Sequence, residues 1–322
     1  MPRFYSYLPT ALAEGQPFAL AIISAVKGSS PQKQGAKALF FADGRIVGTL
    51  GGGCLEAEIQ DRARRALASG QPATFELVLD HDFGWDDGLI CGGKVAGLIL
   101  PQAAQAGAIW QLLALAQDTL TWGVKRDFSI ARVTEPGGDW LYQETFAPPC
   151  RLWLAGAGHV AQAVAPLALE VDFDVTVFDD RAALANTRHF PAAVRLRVGN
   201  WEQLLAEPLG ARPTFGLIVT RGHRHDALVL RHWLPRPFAF LGMLGSRRKA
   251  RLMAEQFAAE NIASPEQFAR VFCPVGLDIH AIGVKEIAVS IVAQLVQKRA
   301  EFLAAQPSAN QGPAGLTRVR VA

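Results

Sequence analysis

The sequence predicts an α/β protein with two domains, the second built on a doubly wound parallel sheet. Three observations support this fold class. The chain has 322 residues, which is more than a single hydrophobic core usually spans. Segments typical of strands and helices alternate throughout its second half, as they do in parallel sheets. A glycine-rich turn at Gly156–Ala161 joins the first strand of that half to the first helix.

The composition is that of a globular protein, because half of the residues are apolar and 19% are charged. The net charge is only +3 and the basic residues are scattered, so we expect no nucleic-acid partner. We find neither a basic, apolar leader nor a long uninterrupted apolar run, which predicts a cytoplasmic protein without a membrane segment. The four cysteines lie far apart without CxxC spacing, which favours reduced thiols.

The first domain, residues 1–148, is predicted to be α/β or α+β. Predicted strands occupy residues 18–26, 36–41, 44–47, 74–79 and 95–100, and helical segments occupy residues 55–68 and 109–115. The Pro-Gly-Gly and Pro-Pro pairs within residues 135–149 interrupt regular structure, as at surface connections. We therefore expect the domain boundary in this segment.

The second domain, residues 149–305, is predicted to alternate strand and helix. The predicted strands are residues 151–155, 173–179, 215–220 and 238–243, and the predicted helices are residues 159–170, 226–234, 247–260 and 284–304. Residues 306–322 are rich in Pro, Gly and small polar residues, which is typical of a flexible tail.

The turn at the start of the second domain matches the Rossmann dinucleotide-binding pattern. Gly156 permits a tight turn, Gly158 lets the backbone approach a phosphate, and Ala161 allows close packing of the helix on its strand. The helix N-terminus would then present free N–H groups to the anion. Asp179 follows the second strand at the position that often contacts a ribose hydroxyl. A flavodoxin-like turn without a ligand is the alternative interpretation.

Several polar side chains are expected at the same edge of the sheet. His159 opens the first helix, where it could bind a ligand as neutral imidazole or merely bond a carbonyl group. Arg221 and His223 belong to a cluster at residues 220–226 that favours anion binding or substrate orientation over a metal site. The segment 242–249 repeats the order of strand, glycine loop and basic helix start, or else gives a solvated basic helix face.

In the first domain, the triple glycine Gly51–Gly53 indicates close approach to a ligand or to another backbone. Cys54 follows at or just before the N-cap of a helix, where the dipole favours a thiolate and hence sulfur or metal chemistry. Cys91, followed by Gly92 and Gly93, is a second glycine-flanked thiol. Either cysteine could instead be ordinary packing.

Five segments in order resemble the XdhC/CoxI family of accessory proteins for molybdenum hydroxylases. They are Gly28–Pro31 with Gly48–Glu56, Cys91–Gly93, Leu154–Val160 with Asp179–Arg181, Gly242–Lys249, and Pro274–Leu277 with Glu286–Ser290. The chain departs from the family pattern at Asp278–Gly283, where members usually carry an Ile-Gly-Ala type segment.

The resemblance implies a chaperone for the molybdenum cofactor (molybdopterin). Such a protein binds and protects the cofactor, allows a cysteine desulfurase to install its sulfido ligand, and inserts it into a hydroxylase such as xanthine dehydrogenase. The expected contacts with this cargo are Gly51, Gly52, Gly53, Cys54, Glu56, Cys91, Gly92, Gly93, Gly156, Gly158, His159, Asp179, Arg221 and His223, with Cys54 or Cys91 toward molybdenum. A homodimer is the default expectation. The alternatives are an oxidoreductase that uses NAD(P) and a protein-binding adaptor with an empty Rossmann site.

Overall fold

The structure is a computed structural model that describes residues 2–79, 93–135 and 137–305. It divides between Pro148 and Pro149 into two compact units, each with its own cores. Among the described residues, no helix is both long and apolar enough to cross a membrane. The predicted fold class is confirmed, since the first unit combines antiparallel sheets with helices and the second contains a parallel doubly wound sheet.

The elements of the first unit run in the order α1 (Pro2–Ala13), β1 (Phe18–Lys27), β2 (Lys37–Phe41), β3 (Ile46–Gly48), α2 (Gly53–Ser69), β4 (Ala73–Leu79), β5 (Gly93–Leu100), a short 3₁₀ helix (Ala103–Ala106), α3 (Gly107–Leu115), β6 (Leu120–Lys125), β7 (Ile130–Arg132) and β8 (Trp140–Phe146). Strands β1 to β5 form one antiparallel sheet in the order β3-β2-β1-β5-β4. The predicted Asp-Gly turn between β2 and β3 is confirmed, with Gly44 at φ +90°.

The central strand β1 is buried on both faces, which explains its nearly continuous apolar sequence. Leu20 and Ile22 face a core shared with α1, α3 and the second sheet of this unit. Ala19 and Ala21 alternate with them and face α2 on the opposite side, where Ile59 is fully buried. This period-2 alternation gives one strand two packing surfaces.

A second antiparallel sheet, in the order β7-β6-β8, was not predicted from the sequence. The expectation that residues 135–149 are a connection was therefore wrong in part, because β8 occupies Trp140–Phe146 between the Pro-Gly-Gly and Pro-Pro pairs. Its aromatic residues complete the core, and Tyr142 and Phe146 are buried there. Burial of these rings against β6 stabilises the strand despite the proline and glycine residues on either side of it.

The second unit contains β9 (Arg151–Ala155), α4 (His159–Glu170), β10 (Asp174–Asp179), β11 (Arg195–Val198), α5 (Trp201–Leu205), β12 (Thr214–Ile218), α6 (His223–Trp233), β13 (Phe240–Met243), α7 (Arg247–Ala259), α8 (Pro265–Phe268), β14 (Val271–Phe272) and α9 (Val284–Ala305). Its strands pair in parallel in the order β11-β10-β9-β12-β13-β14. In chain order this is 3-2-1-4-5-6, the Rossmann arrangement. The sequence did not predict the short elements β11, α5, α8 and β14.

Helices cover both faces of this parallel sheet. On one face, α4 and α9 pack together over the sheet core, where Ala161, Val164 and Ile291 are fully buried. On the other face, α5, α6 and α7 enclose a core in which Trp153 and Trp233 lie 6.0 Å apart between ring centroids. Covering helices leave the carboxyl edge of the strands as the open edge at which ligands bind in this fold.

Candidate functional site

The candidate site lies where the strand order of the second unit reverses, between β9 and β12. Gly156 follows β9 and Thr220 follows β12, so the two loops flank this reversal. An ideal Cβ built on Gly156 would lie 2.4 Å from the carbonyl oxygen of Val219. Gly156 also has φ +115°, a conformation that side chains rarely adopt. The predicted need for glycine at this turn is therefore confirmed by both space and backbone conformation.

Gly158, unlike Gly156, is not required by backbone conformation or by close contacts. It is the N-cap of α4, with φ −72° and ψ −177° in the extended region that any residue can adopt. A Cβ built on it meets no atom within 4 Å, so the backbone faces open space. The N–H groups of the first turn of α4 point to this end of the helix without carbonyl partners in the helix. A helix end of this kind can accept an anion, and the phosphate contact at Gly158 remains a prediction.

Asp179 lies beneath the glycine turn rather than on an open surface. Its side chain is fully buried, and Oδ2 accepts a 2.6 Å hydrogen bond from the backbone N–H of Ala157. The backbone N–H and the guanidinium of Arg181 donate to the same carboxylate at 2.8–2.9 Å. Burial alone would raise the pKa of Asp179, but these hydrogen bonds outweigh it and hold the pKa below its ordinary value.

These contacts give Asp179 a role that the sequence did not suggest. The carboxylate fixes the turn between the two glycines and keeps the end of β10 close to it. A ribose hydroxyl could reach this carboxylate only if hydrogen bonds to Ala157 or Arg181 were broken. The predicted ligand contact of Asp179 thus remains a prediction, while its structural contacts within the protein are observed directly.

A rim of arginine and histidine side chains borders the turn. Arg221 donates to Asp180 at 2.9 Å, and its guanidinium lies 3.2 Å from the ring nitrogen of His225. His159 and His223 are exposed as the first residues of α4 and α6. The structure therefore brings His159, Arg221 and His223 to one edge of the sheet, as the sequence predicted. The sequence missed the part played by Arg181, although it directly follows the acidic pair.

A buried ion pair joins the starts of α6 and α7 at this edge. Asp226 is 1% exposed and accepts hydrogen bonds from Thr220 at 2.7 Å and from Lys249 Nζ at 2.5 Å. Lys249 also donates to the carbonyl of Leu244 at 2.9 Å. Lys249 thus pairs with a buried carboxylate, which modifies the interpretation of residues 247–249 as a basic face in solvent. The sequence suggested Asp226 only as a possible metal ligand in the 220–226 cluster.

In the first unit, the glycine loop before α2 owes its composition to backbone conformation. Gly51, Gly52 and Gly53 all have positive φ, at +120°, +72° and +58°. A Cβ on Gly51 would also lie 2.7 Å from Cβ of Pro31. These three glycines are therefore required by the loop itself, whether or not a ligand also approaches it. The close neighbour of Gly51 is the Pro31 side chain and not another backbone segment, so the predicted approach of a ligand to this loop remains a prediction.

Glu56 and Cys54 extend from this loop into α2. Glu56 accepts 2.9 Å hydrogen bonds from the Thr49 hydroxyl and the Leu50 backbone N–H, so it closes the loop on the helix. The N-cap is Gly52, so the expected place of Cys54 at or before the cap was wrong by two residues. Cys54 is a free, half-buried thiol in the first turn of the helix.

The second predicted thiol, Cys91, and the adjacent Gly92 lie outside the described residues. Gly93 begins β5, and a Cβ on it would lie 1.9 Å from the carbonyl oxygen of Ser29. The predicted signature segments 28–31 and 91–93 are therefore in contact through Gly93. Within residues 2–79, 93–135 and 137–305, no three His, Cys, Asp or Glu side chains come together in a group that could hold a metal ion.

Two family models match the chain, and together they cover more than half of it. Residues 152–295 match the XdhC Rossmann domain, and residues 11–79 match the XdhC and CoxI family. The first of these stretches contains the glycine turn, Asp179 and the Asp226–Lys249 pair. The second contains the triple glycine, Cys54 and Glu56.

Three relatives are similar over at least 90% of this chain. The uncharacterized protein YqeB of Escherichia coli is 30% identical over 93% of the chain, which spans only 45% of that protein. A Bacillus subtilis protein named as a probable xanthine dehydrogenase subunit is 29% identical over 93% of the chain and 98% of its own length. "Molybdenum cofactor insertion chaperone PaoD" of Escherichia coli is 24% identical over 90% of the chain and 86% of its own length.

A solved structure has the same fold over nearly all of this chain. It is a crystal structure described as a xanthine dehydrogenase from Bacillus halodurans, with a TM-score of 0.80 and 26% sequence identity. The match covers 96% of this chain and 98% of that one. The fold, the order of the motifs and the two matching family models agree, and the chain belongs to the XdhC and CoxI family.

Proposed function

We propose that this protein binds the molybdenum cofactor as cargo and inserts it into a molybdenum hydroxylase. The observation that carries the proposal is its similarity to a molybdenum cofactor insertion chaperone over 90% of the chain, together with a glycine turn whose open side can accept a phosphate. The molybdopterin part of this cofactor carries a phosphate group, which suits a helix N-terminus. The cargo is bound and released unchanged in covalent structure unless a partner modifies it.

In this proposal the first turn of α4 holds the phosphate. Gly158 leaves room for the oxygens, and the N–H groups of His159 and Val160 donate to them. Asp179 fixes the turn through Ala157, so that the donors are in place before binding and little ordering is needed at that moment.

The side chains of the rim add hydrogen-bond donors around the phosphate. Arg221 and Arg181 already neutralise Asp180, at 2.9 Å and 3.7 Å between charged atoms. The exposed rings of His159 and His223 can donate N–H hydrogen bonds to the phosphate oxygens. Their exposure keeps them accessible to an anionic ligand, so binding is expected to weaken as salt concentration rises.

The role of the first unit is a separate part of the proposal. Cys54, a partly exposed thiol at the start of α2, is a candidate contact for molybdenum or sulfur, since thiolates are soft ligands. Cys91 remains a candidate from the sequence. Sulfuration of the cargo by a cysteine desulfurase, and xanthine dehydrogenase as the client, belong to this proposal as expectations from the family.

An oxidoreductase that uses NAD(P) is the alternative, and the Rossmann strand order with its glycine turn favours it. The contacts of Asp179 count against it, because the carboxylate that would select the ribose is fully buried and takes hydrogen bonds from Ala157 and Arg181. Calorimetry distinguishes the two functions. Saturable nicotinamide binding without any pterin would support the alternative over the chaperone.

The test is coexpression of the full chain with the enzymes that make the cofactor, followed by oxidation of the purified protein. A fluorescent pterin in near-stoichiometric amount is the expected result, and a pterin-free protein would contradict the proposal. Transfer is checked by adding the loaded protein to an apo-hydroxylase, whose activity should appear. A loaded protein that never activates the apo-enzyme would refute insertion while leaving binding intact.

A variant pair tests whether the phosphate lies at the turn. Gly158→Asp introduces a favoured N-cap residue in a suitable backbone conformation, so the helix should keep its stability. Its carboxylate would repel the phosphate, and we expect at least a tenfold loss of bound pterin. Gly199→Asp is the control, because Gly199 follows β11 at the same edge and its Cβ would have only ordinary contacts from 3.7 Å. Equal pterin content in both variants would place the phosphate elsewhere.

A further inference from the structure

The last helix of the second unit carries an apolar stripe on its exposed face. Val289 is 51% exposed, Val296 is 36% exposed and Leu303 is 49% exposed. Ile282, two residues before the helix, is 90% exposed. The three positions within the helix recur every seven residues. An isolated exposed aliphatic residue is common, whereas a row with this period gives the helix one apolar seam.

Small residues complete this row in coiled-coil spacing. Ala293 and Ala300 lie between the larger side chains, so that the stripe steps by four and three residues from Val289 to Leu303. A repeat of this kind keeps one seam of a helix facing a partner helix. The opposite face of α9 is already occupied, because Ala288, Ile291 and Leu295 are fully buried in the core of its own unit. The stripe is therefore not required to hold α9 in place.

We propose that the stripe binds a second copy of this chain through an antiparallel pairing of the two α9 helices. The spacing is self-complementary under a two-fold axis, since Val289 of one copy then lies opposite Val296 of the other. Isologous contact of this kind is the commonest form of protein dimer.

The charges beside the stripe support the antiparallel direction. Lys285 and Glu301 are both exposed and lie near opposite ends of α9. Glu301 is 52% exposed although it pairs with Lys298 of its own helix at 2.8 Å, so its outer side can still meet a second cation. Antiparallel pairing brings Lys285 of each copy toward Glu301 of the other, twice per dimer. Parallel pairing would instead place each charge beside its own like. Like charges disfavour such a pairing.

The size of the stripe predicts the strength of the dimer. Helix α9 has 22 residues, which corresponds to a length of about 33 Å. One seam of this length buries less than the roughly 800 Å² per partner of a typical stable interface. We therefore expect a reversible dimer whose population depends on protein concentration. This inference does not rest on the proposed function.

The test is sedimentation equilibrium of the full chain over a range of concentrations. Val289→Glu and Val296→Glu should each weaken dimerisation at least tenfold. Leu252→Glu is the matched control, because Leu252 is 49% exposed but lies on α7, off the stripe, and it should leave the dimer unchanged. A wild-type protein that stays monomeric at every concentration would overturn the proposal, as would a dimer that persists in both valine variants.

Cross-linking tests the direction of the pairing. Chains with Val289→Cys or Val296→Cys are prepared separately, mixed and oxidised, with the wild type showing the background from its own thiols. The antiparallel register predicts that disulfides join the two different variants. Disulfides formed mainly within each variant alone would show parallel pairing and refute the proposed arrangement. Circular dichroism spectra check that each variant keeps its fold.

Discussion

Replacement of Asp179 by asparagine should destabilise the second unit strongly, although it changes a single oxygen to an amide nitrogen. The carboxylate is fully buried and accepts hydrogen bonds from Ala157 and from Arg181. Asparagine keeps only one good acceptor. Its NH₂ group would face an N–H donor of Ala157 or Arg181, leaving that donor without an acceptor.

The size of the effect follows from these contacts. A buried donor left without a partner costs about 1–3 kcal/mol, and a hydrogen bond to a charged group contributes about 1.5–3 kcal/mol. The side chain of Arg181 is 30% exposed, so water can solvate part of it, and the full cost of about 3–5 kcal/mol for breaking a buried pair should not apply. We expect Asp179→Asn to lower the free energy of unfolding by about 2–4 kcal/mol.

The pH dependence gives a second signature of the same residue. The folded-state pKa of Asp179 lies below its ordinary value of 3.8, because hydrogen bonds outweigh the opposing effect of burial. Its contribution to stability is therefore fully present above pH 3.8 and is lost as the pH falls through that value toward the folded pKa. The difference between wild type and Asp179→Asn should accordingly shrink in acid.

Urea unfolding followed by fluorescence at several pH values measures both effects. Asp180→Asn is the matched control, because the neighbouring carboxylate is 27% exposed and pairs with arginines near the surface. It should cost about 1 kcal/mol or less. A loss below about 1 kcal/mol for Asp179→Asn, or equal losses in the two variants, would refute the idea that Asp179 fixes the turn. Pterin retention should fall in Asp179→Asn as the turn loosens.

Two further predictions concern two other ion pairs, Asp226 with Lys249 and Lys37 with Glu144. Asp226→Asn should lower the free energy of unfolding by about 2–3 kcal/mol, because a buried charge loses its partner, and a double-mutant cycle with Lys249→Met should give a coupling above about 0.5 kcal/mol. Additive losses would contradict the pairing. Lys37 is almost fully buried beside Glu144, and burial lowers its pKa despite that neighbour. Lys37→Met should destabilise by about 1–2 kcal/mol because Glu144 is still partly solvated, and adding Glu144→Gln should recover most of the loss. A double variant that unfolds more easily than Lys37→Met would count against this account.

The sequence alone determined the Rossmann half because its signals are local. Strand and helix alternate with clear periods, and the turn at Gly156 needs a backbone conformation and a space that only glycine fits. The triple glycine was an equally clear signal of an unusual loop, since Gly51–Gly53 all have positive φ. In such segments the residue type follows from the backbone within a few positions, so one sequence is enough to recognise them.

Only the tertiary structure decided which polar groups face a ligand and which face the protein. Asp179 looked like a ribose contact by its position, yet the fold buries it under the turn against Ala157. Lys249 looked like a solvated base, yet it pairs with Asp226 across 23 residues of chain. β8 forms because it pairs with β6 and because its aromatic side chains are buried in the core of the first unit. Burial and pairing between distant residues set these outcomes, and neither spacing nor composition reports them.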